Sequence, residues 1–117
     1  MEKDERDILK ENIKKFIKSA EIIYNTGDFT SSAILYFKAF FAILDLVILK
    51  RIGKIPKDHS ERFRILESGF SNLYSSLDKL YHIYRNTYTA IINKYDCDKI
   101  KNDVERIIKE QRIFEDN

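Results

Sequence analysis

The sequence has little of what interrupts or cross-links a chain. Its 117 residues include one cysteine, one proline, three glycines and no tryptophan. The lone Cys97 excludes an internal disulfide and suits a reducing compartment. Few turn residues beside 44% hydrophobic and 34% charged residues are typical of a helical bundle with a solvated surface. The length fits one domain, over residues 1–117.

The charge balance and the apolar runs also exclude several classes of protein. A formal net charge of +2 is too small to indicate nucleic-acid binding by itself. The stretch from Met1 to Lys15 is dense in mixed charge and lacks the apolar segment of a signal peptide. The longest apolar run is interrupted by Lys38 and Asp45 and is short of a bilayer span. We therefore expect a cytoplasmic protein with no membrane contact and no cofactor.

The first half of the chain predicts two helices. Apolar residues recur at three- and four-residue steps from Leu9 to Tyr24, which indicates an amphipathic helix. Gly27 can adopt the left-handed conformation that closes a helix, and Asp28 can cap the next one. The second predicted helix extends from Phe29 to about Ile52.

That second helix is apolar on almost every side, because Lys38 and Asp45 are its only charged residues between positions 33 and 49. Such a helix must be covered on most sides. A short bundle usually leaves one face open, so the pattern favours a second subunit. The predicted dimer interface consists of Phe37, Phe40 and Phe41.

The second half of the chain predicts three more helices after a loop at residues 53–60. Pro56 disfavours helix in that loop, and Asp58 or Ser60 can cap the next helix. The predicted helices are a short one over about Glu61–Ser68, one over about Asn72–Asn93, and a C-terminal one over about 96–113. No β-type alternation is present, so the predicted fold is all-α, an up-and-down bundle of four to five helices.

The two charged residues of the apolar helix lie on nearly the same line, seven positions apart. Lys38 and Asp45 are too distant along the axis to pair with each other. Because an unpaired buried charge is costly, we expect each to meet a partner from another helix or subunit. A polar lining of a binding site is the alternative.

The histidines do not indicate a metal site. His59 and His82 lie on different predicted elements, and neither has a second histidine or a cysteine at ligand spacing. The stretch from 50 to 64 is more informative, with six basic residues against two acidic ones. The basic residues are Lys50, Arg51, Lys54, Lys57, Arg62 and Arg64. They indicate either a phosphate- or RNA-facing patch or solvated cations favoured by a helix end.

A second cluster lies in the segment from Tyr81 to Tyr88, where Arg85 stands among three tyrosines. An arginine of this kind can hold a phosphate while the rings stack on bases. The alternative is that tyrosines three or four residues apart form the buried face of a helix, with their hydroxyls at its rim.

Taken in order, these segments resemble the HEPN domain family. The match consists of Gly27-Asp28-Phe29, the helix Tyr36-Phe37-Lys38-Ala39-Phe40-Phe41-Ala42, the loop from Gly53 to Ser60, the helix start Glu61-Arg62-Phe63, and Tyr84-Arg85-Asn86-Thr87-Tyr88. It covers about residues 9–95. The resemblance implies a helical homodimer that works beside a small nucleotidyltransferase, frequently as a toxin–antitoxin pair.

Many HEPN proteins are metal-independent ribonucleases that use an arginine and, several residues later, a histidine. Arginine would stabilise phosphate charge, and histidine would move the proton of a hydroxyl. Arg85 matches the arginine, but positions 90–92 carry no histidine. The leading hypothesis is therefore a non-catalytic HEPN-like homodimer that binds a nucleotidyltransferase partner, a nucleotide or RNA. The predicted ligand-binding residues are Arg85, Asn86, Tyr88, Lys57 and His59.

Two alternatives stay open at this point. One is an atypical ribonuclease, in which Arg85 acts with His59 or His82 from across the dimer. The other is a helical protein-interaction module whose basic loop has no role in binding nucleic acid.

Overall fold

The computed structural model describes residues 4–115 and folds them into five α-helices, with no strand in that range. The helices are α1 (Glu5–Tyr24), α2 (Phe29–Ile52), α3 (His59–Gly69), α4 (Ser71–Asn86) and α5 (Lys94–Glu110). The predicted all-α bundle is confirmed. Positions 1–3 and 116–117 of the predicted domain lie outside the described residues.

Short polar side chains set the ends of the first helices. Gly27 has a φ of 87°, which L-residues with side chains rarely adopt, and it closes the turn after α1. The Asp28 carboxylate then accepts a hydrogen bond of 3.0 Å from the Ser31 amide and caps α2. Asp58 caps α3 in the same way through the Glu61 amide, at 2.8 Å. These three predictions from the sequence are confirmed.

The apolar helix α2 is the centre of the molecule, because it contacts each of the other four helices. Fifteen of its 24 residues are buried. By length and composition alone α2 could cross a membrane, but 83% of its most apolar 18-residue window is buried inside the chain. Burial of this kind is typical of the core helix of a compact bundle.

The phenylalanines predicted to form a dimer interface lie in the core of a single chain. Phe37 and Phe40 have no exposed surface, and Phe41 is 8% exposed. Their rings pack against one another, and Phe37 and Phe41 also contact Tyr84 of α4, with ring centroids 5.4 and 5.0 Å apart. The chain's own helices thus cover the face that was expected to need a second subunit.

The predicted end of α4 is wrong by seven residues, because the helix stops at Asn86 instead of Asn93. The Thr87 hydroxyl donates to the Tyr84 carbonyl at 2.6 Å, which competes with continuation of the helix. The following segment is held against the start of α2 by a 2.9 Å hydrogen bond from the Ile92 amide to Thr30 Oγ1. Ile92 is buried, whereas Ile91 is 94% exposed.

We predict that Phe40→Ala lowers the free energy of unfolding by about 3–5 kcal/mol, because a fully buried ring is removed and leaves a cavity. Urea denaturation followed by circular dichroism measures the change. Ile22→Ala, at a 58% exposed position of α1, is the control and is expected to change stability by less than about 1 kcal/mol. An unchanged stability with an altered oligomeric state would contradict the assignment of Phe40 to the core.

Candidate ligand-binding site

The site is built on an ion pair between the centre of α2 and the first turns of α3. Arg62 Nε donates to Asp45 Oδ1 at 2.7 Å, and Arg62 Nη2 donates to Asp45 Oδ2 at 3.0 Å. Both residues are buried, with exposures of 7% and 9%. The pair is bidentate, the geometry that gives an arginine–carboxylate contact its directional strength. The predicted partner for Asp45 on another helix is therefore confirmed.

The third arm of the Arg62 guanidinium reaches His59, one turn earlier on α3. Arg62 Nη1 lies 2.6 Å from His59 Nδ1. Since arginine only donates hydrogen bonds, Nδ1 must be the acceptor. The imidazole is therefore neutral, with its proton on Nε2. His59 is left with one N–H to offer to a ligand and has no free lone pair on the ring.

The surroundings of His59 also favour the neutral form of its ring. Burial lowers the pKa of His59 below its ordinary value of 6.5, and the neighbouring charge of Arg62 lowers it further. The ring packs edge-on against Phe41, with centroids 4.8 Å apart. It also lies 5.7 Å from the ring of Tyr84 and 6.3 Å from that of Tyr81, both measured between centroids.

A cavity of about 210 Å³ opens beside His59, between α2, the start of α3 and the end of α4. The residues that line it are Ile34, Lys38, Phe41, His59, Tyr84, Thr87 and Tyr88. The set contains one cation, three aromatic rings and no carboxylate. Because nothing in the lining offsets the ammonium charge, the cavity is suited to an anionic group beside a planar or apolar one.

Lys38 supplies the charge of this cavity. It is exposed, although the residues around it on α2 are buried, and no ion pair joins it to a residue within 4–115. The partner predicted for Lys38 on another helix is thus not found in that range. The alternative, a polar lining of a site, describes its position.

The hydroxyl groups of the cavity leave one proton free for a ligand. Tyr84 and Tyr88 are joined through their hydroxyl oxygens at 2.9 Å, so one of them donates to the other and the second keeps its own proton. Burial and this hydrogen bond raise the pKa of Tyr84 to about 12, which keeps the hydroxyl protonated. The Thr87 proton is used on the Tyr84 carbonyl.

The structure brings together only some of the predicted site residues. His59 and Tyr88 line the cavity. Arg85, Asn86 and Lys57 are exposed and lie outside its lining, as does His82, whose Nδ1 is 3.1 Å from the Lys79 carbonyl oxygen. Arg85 and His82 are therefore both outside the cavity that His59 lines.

The predicted basic patch at 50–64 is divided by the fold. Arg62 is turned into the core by Asp45, and Lys54 and Arg64 each lie 3.9 Å from Glu61. Arg51 lies over the ring of Phe70, 4.8 Å from its centroid. Four of the six cations are thus held by three residues in different places, which are Asp45, Glu61 and Phe70.

Sequence reasoning missed Thr87 as a site residue, offered Lys38 and Tyr84 only as alternatives, and placed Phe41 at an interface instead of in the cavity wall. One signal was available for Lys38, which is the only cation in the most apolar part of α2. The role of Arg62 had no local signal, because its partner Asp45 is 17 residues away.

Two further observations bear on the site. Within residues 4–115, no group of three or more histidine, cysteine, aspartate or glutamate side chains is arranged to hold a metal ion. The chain matches no protein-family model, no curated protein and no solved structure. The resemblance to the HEPN family therefore stays a prediction.

We predict that the protein loses stability as the pH falls below about 6.5, the ordinary pKa of histidine. The folded state holds His59 neutral, so the unfolded chain binds more protons in this window and acid favours unfolding. Urea denaturation at intervals from about pH 7 to about pH 5 measures the slope. His59→Gln is expected to flatten it, and the exposed His82→Gln is the control. A slope that persists in His59→Gln would contradict the assignment.

Proposed function

We propose that this domain binds a nucleotide, or one nucleotide of an RNA strand, in the cavity beside His59, and that it does so without cleaving it. The observation that carries the proposal is the position of Lys38, a cation without an ion-pair partner among residues 4–115, which lies among aromatic rings in a cavity with no carboxylate in its lining. A phosphate group is the common biological anion that is joined to a planar ring system. The ammonium would hold the phosphate, and the rings would contact the base or sugar.

The cavity is large enough to enclose part of a ligand but not a whole one. Pockets for complete small ligands usually enclose about 300–1,000 Å³. The cavity here measures about 210 Å³. It fits a phosphate and the group next to it, with the remainder of the ligand lying on the open side, near the 74% exposed Tyr88.

The state of His59 argues against a ribonuclease built on this cavity. A general base needs a free lone pair within reach of the hydroxyl that it deprotonates. His59 uses its lone pair on Arg62, and its other nitrogen carries a proton. Arg85, the arginine of the ribonuclease hypothesis, lies outside the cavity lining.

The wider setting comes from the resemblance to the HEPN family. We propose a cytoplasmic homodimer that works with a small nucleotidyltransferase, in the manner of a toxin–antitoxin pair. Since Phe37 and Phe40 are buried within one chain, the dimer would form through exposed residues.

A protein-interaction module is the second candidate, favoured by one observation. Ile91, 94% exposed, lies between the exposed Tyr88 and Tyr95 on a segment that Ile92 anchors to α2. Several large exposed apolar and aromatic side chains in one short segment make that segment a candidate contact surface.

We predict that Lys38→Gln weakens the binding of adenosine monophosphate and of a short RNA at least about tenfold, because the only cation in the cavity lining is lost. Isothermal titration calorimetry at low salt measures the affinity. Lys18→Gln, on an exposed position of α1, is the matched control and is expected to keep wild-type affinity.

Two outcomes would contradict this proposal. Equal affinities of the Lys38→Gln variant and the wild-type protein would exclude the cavity as the binding site. Cleavage of the RNA by the wild-type protein, absent in an Arg85→Ala variant, would replace non-catalytic binding with the ribonuclease hypothesis.

We predict for the second candidate that the wild-type chain is a dimer at micromolar concentration and that Ile91→Asp is a folded monomer, because the charge would be buried at the contact. Multi-angle light scattering measures the mass, and circular dichroism checks the fold. Ile22→Asp, at another exposed isoleucine, is expected to stay dimeric. A monomeric wild-type protein would exclude self-association through Ile91.

A further inference from the structure

The Asp45–Arg62 pair has no direct access to the cavity, since neither residue is in its lining. Arg62 nevertheless contacts two residues that are. Its Nη1 donates to His59, and its guanidinium carbon lies 4.9 Å from the centroid of the Phe41 ring. The guanidinium is therefore a support behind the wall of the cavity, itself fixed by two hydrogen bonds to Asp45.

We propose that Arg62, fixed by Asp45, is a positioning residue that holds His59 as a neutral hydrogen-bond donor, so that the cavity selects ionised phosphate groups. This inference rests on the proposed function for the ligand, but the state of His59 can be measured without any ligand. It assigns a role to a buried ion pair that would otherwise only stabilise the fold.

The hydrogen-bond inventory of the cavity supports this selectivity. The donors available to a ligand are the Lys38 ammonium, the His59 Nε2–H and the one free proton of the Tyr84–Tyr88 pair. An ionised phosphate oxygen only accepts hydrogen bonds, and so it matches this set. If His59 could switch tautomers, Nε2 would become an acceptor and would repel the same oxygen.

The charged groups around His59 have opposite effects on its protonation, and the hydrogen bond from Arg62 favours the neutral ring. Asp45 on α2 and Asp58 at the start of α3 favour protonation of the ring, whereas Arg62 and Lys38 disfavour it. The neighbours of the ring on α4 are Tyr81 and Tyr84. A proton on Nδ1 would face the Arg62 N–H at the present distance of 2.6 Å, so protonation requires that contact to break.

The test compares the wild-type protein with the double variant Asp45→Leu/Arg62→Leu. Replacing both members of a buried ion pair with apolar residues is often tolerated, whereas removing one leaves an unpaired buried charge. Arg62→Lys is a second variant, which keeps a positive charge near Asp45 but lacks the fork that reaches His59. Circular dichroism confirms that each variant is folded.

The first measurement is nitrogen-15 NMR of the ligand-free proteins, which reports the tautomer and the pKa of each histidine. In the wild-type protein we expect His59 to carry its proton on Nε2 and to have a pKa below 6.5. In either variant we expect the pKa to rise and both tautomers to be populated. An Nδ1-protonated His59 in the wild-type protein, or no change in the variants, would overturn the positioning role.

The second measurement is the affinity for a diribonucleotide, whose single phosphodiester keeps one charge across the pH range used. Between about pH 8 and about pH 6 the wild-type affinity is expected to change less than about twofold, because the hydrogen bond from Arg62 to Nδ1 opposes protonation of His59. In the double variant, protonation of His59 adds a charged donor, and affinity is expected to rise about threefold or more toward pH 6. The same pH profile in both proteins would overturn the proposed selectivity.

The two measurements separate the inference from the proposed function. No binding of the diribonucleotide to the wild-type protein at either pH would contradict the proposed function. The NMR result decides the positioning role by itself, with or without a ligand.

Discussion

The apolar circumference of α2 is the constraint on which the rest of the structure depends. A helix with so few polar residues is stable in water only when other surfaces cover it on nearly every side. Here the four remaining helices provide that cover, and each of them contacts α2. The other helices can then be amphipathic, with their charged faces in water. A chain of 117 residues thus forms a core without a disulfide.

The two charges in the most apolar part of α2, between positions 33 and 49, are accommodated in opposite ways. Asp45 lies deep in the bundle, where an unpaired carboxylate would cost several kcal/mol, and its desolvation is offset by a bidentate contact with Arg62. Lys38 lies two turns earlier, where the end of α4 and the start of α3 leave a gap in the cover. Its ammonium is therefore solvated at the open cavity, whereas the charge of Asp45 is neutralised by an ion pair. The gap in the cover and the candidate site are the same feature.

The parts of this fold that obey local rules were predictable from the sequence. The caps at Asp28 and Asp58 and the left-handed turn at Gly27 depend on neighbouring residues only. The end of α4 was not predictable in this way. Apolar spacing continues past Asn86 to Ile91, but the chain leaves the helix because Ile92 packs in the core and its amide is bound by Thr30, 62 residues away. A periodic pattern does not contain that contact.

The candidate site shows the same limit more strongly. Its chemistry depends on contacts among α2, α3 and α4, and no local spacing joins Lys38, His59 and Tyr84. The tyrosine cluster had two interpretations from the sequence, a buried face or a surface that stacks on bases. The structure divides it, because Tyr84 is partly buried in the cavity wall whereas Tyr88 is 74% exposed. Arg62 was grouped with the surface cations because composition does not distinguish a solvated arginine from a buried one.

The buried ion pair and the exposed cavity groups have separate tasks, which is how a small bundle can carry a candidate site at little cost to its core. The residues that set the electrostatics, Asp45 and Arg62, satisfy each other inside the bundle, and Arg62 keeps its Nη1 group to fix His59. The groups that face a ligand then need no buried charge of their own. The orientation of His59 is set by the same side chain that pairs with Asp45. In the proposed site, packing and recognition would therefore meet in one guanidinium group, and a change to either partner of Arg62 would alter both.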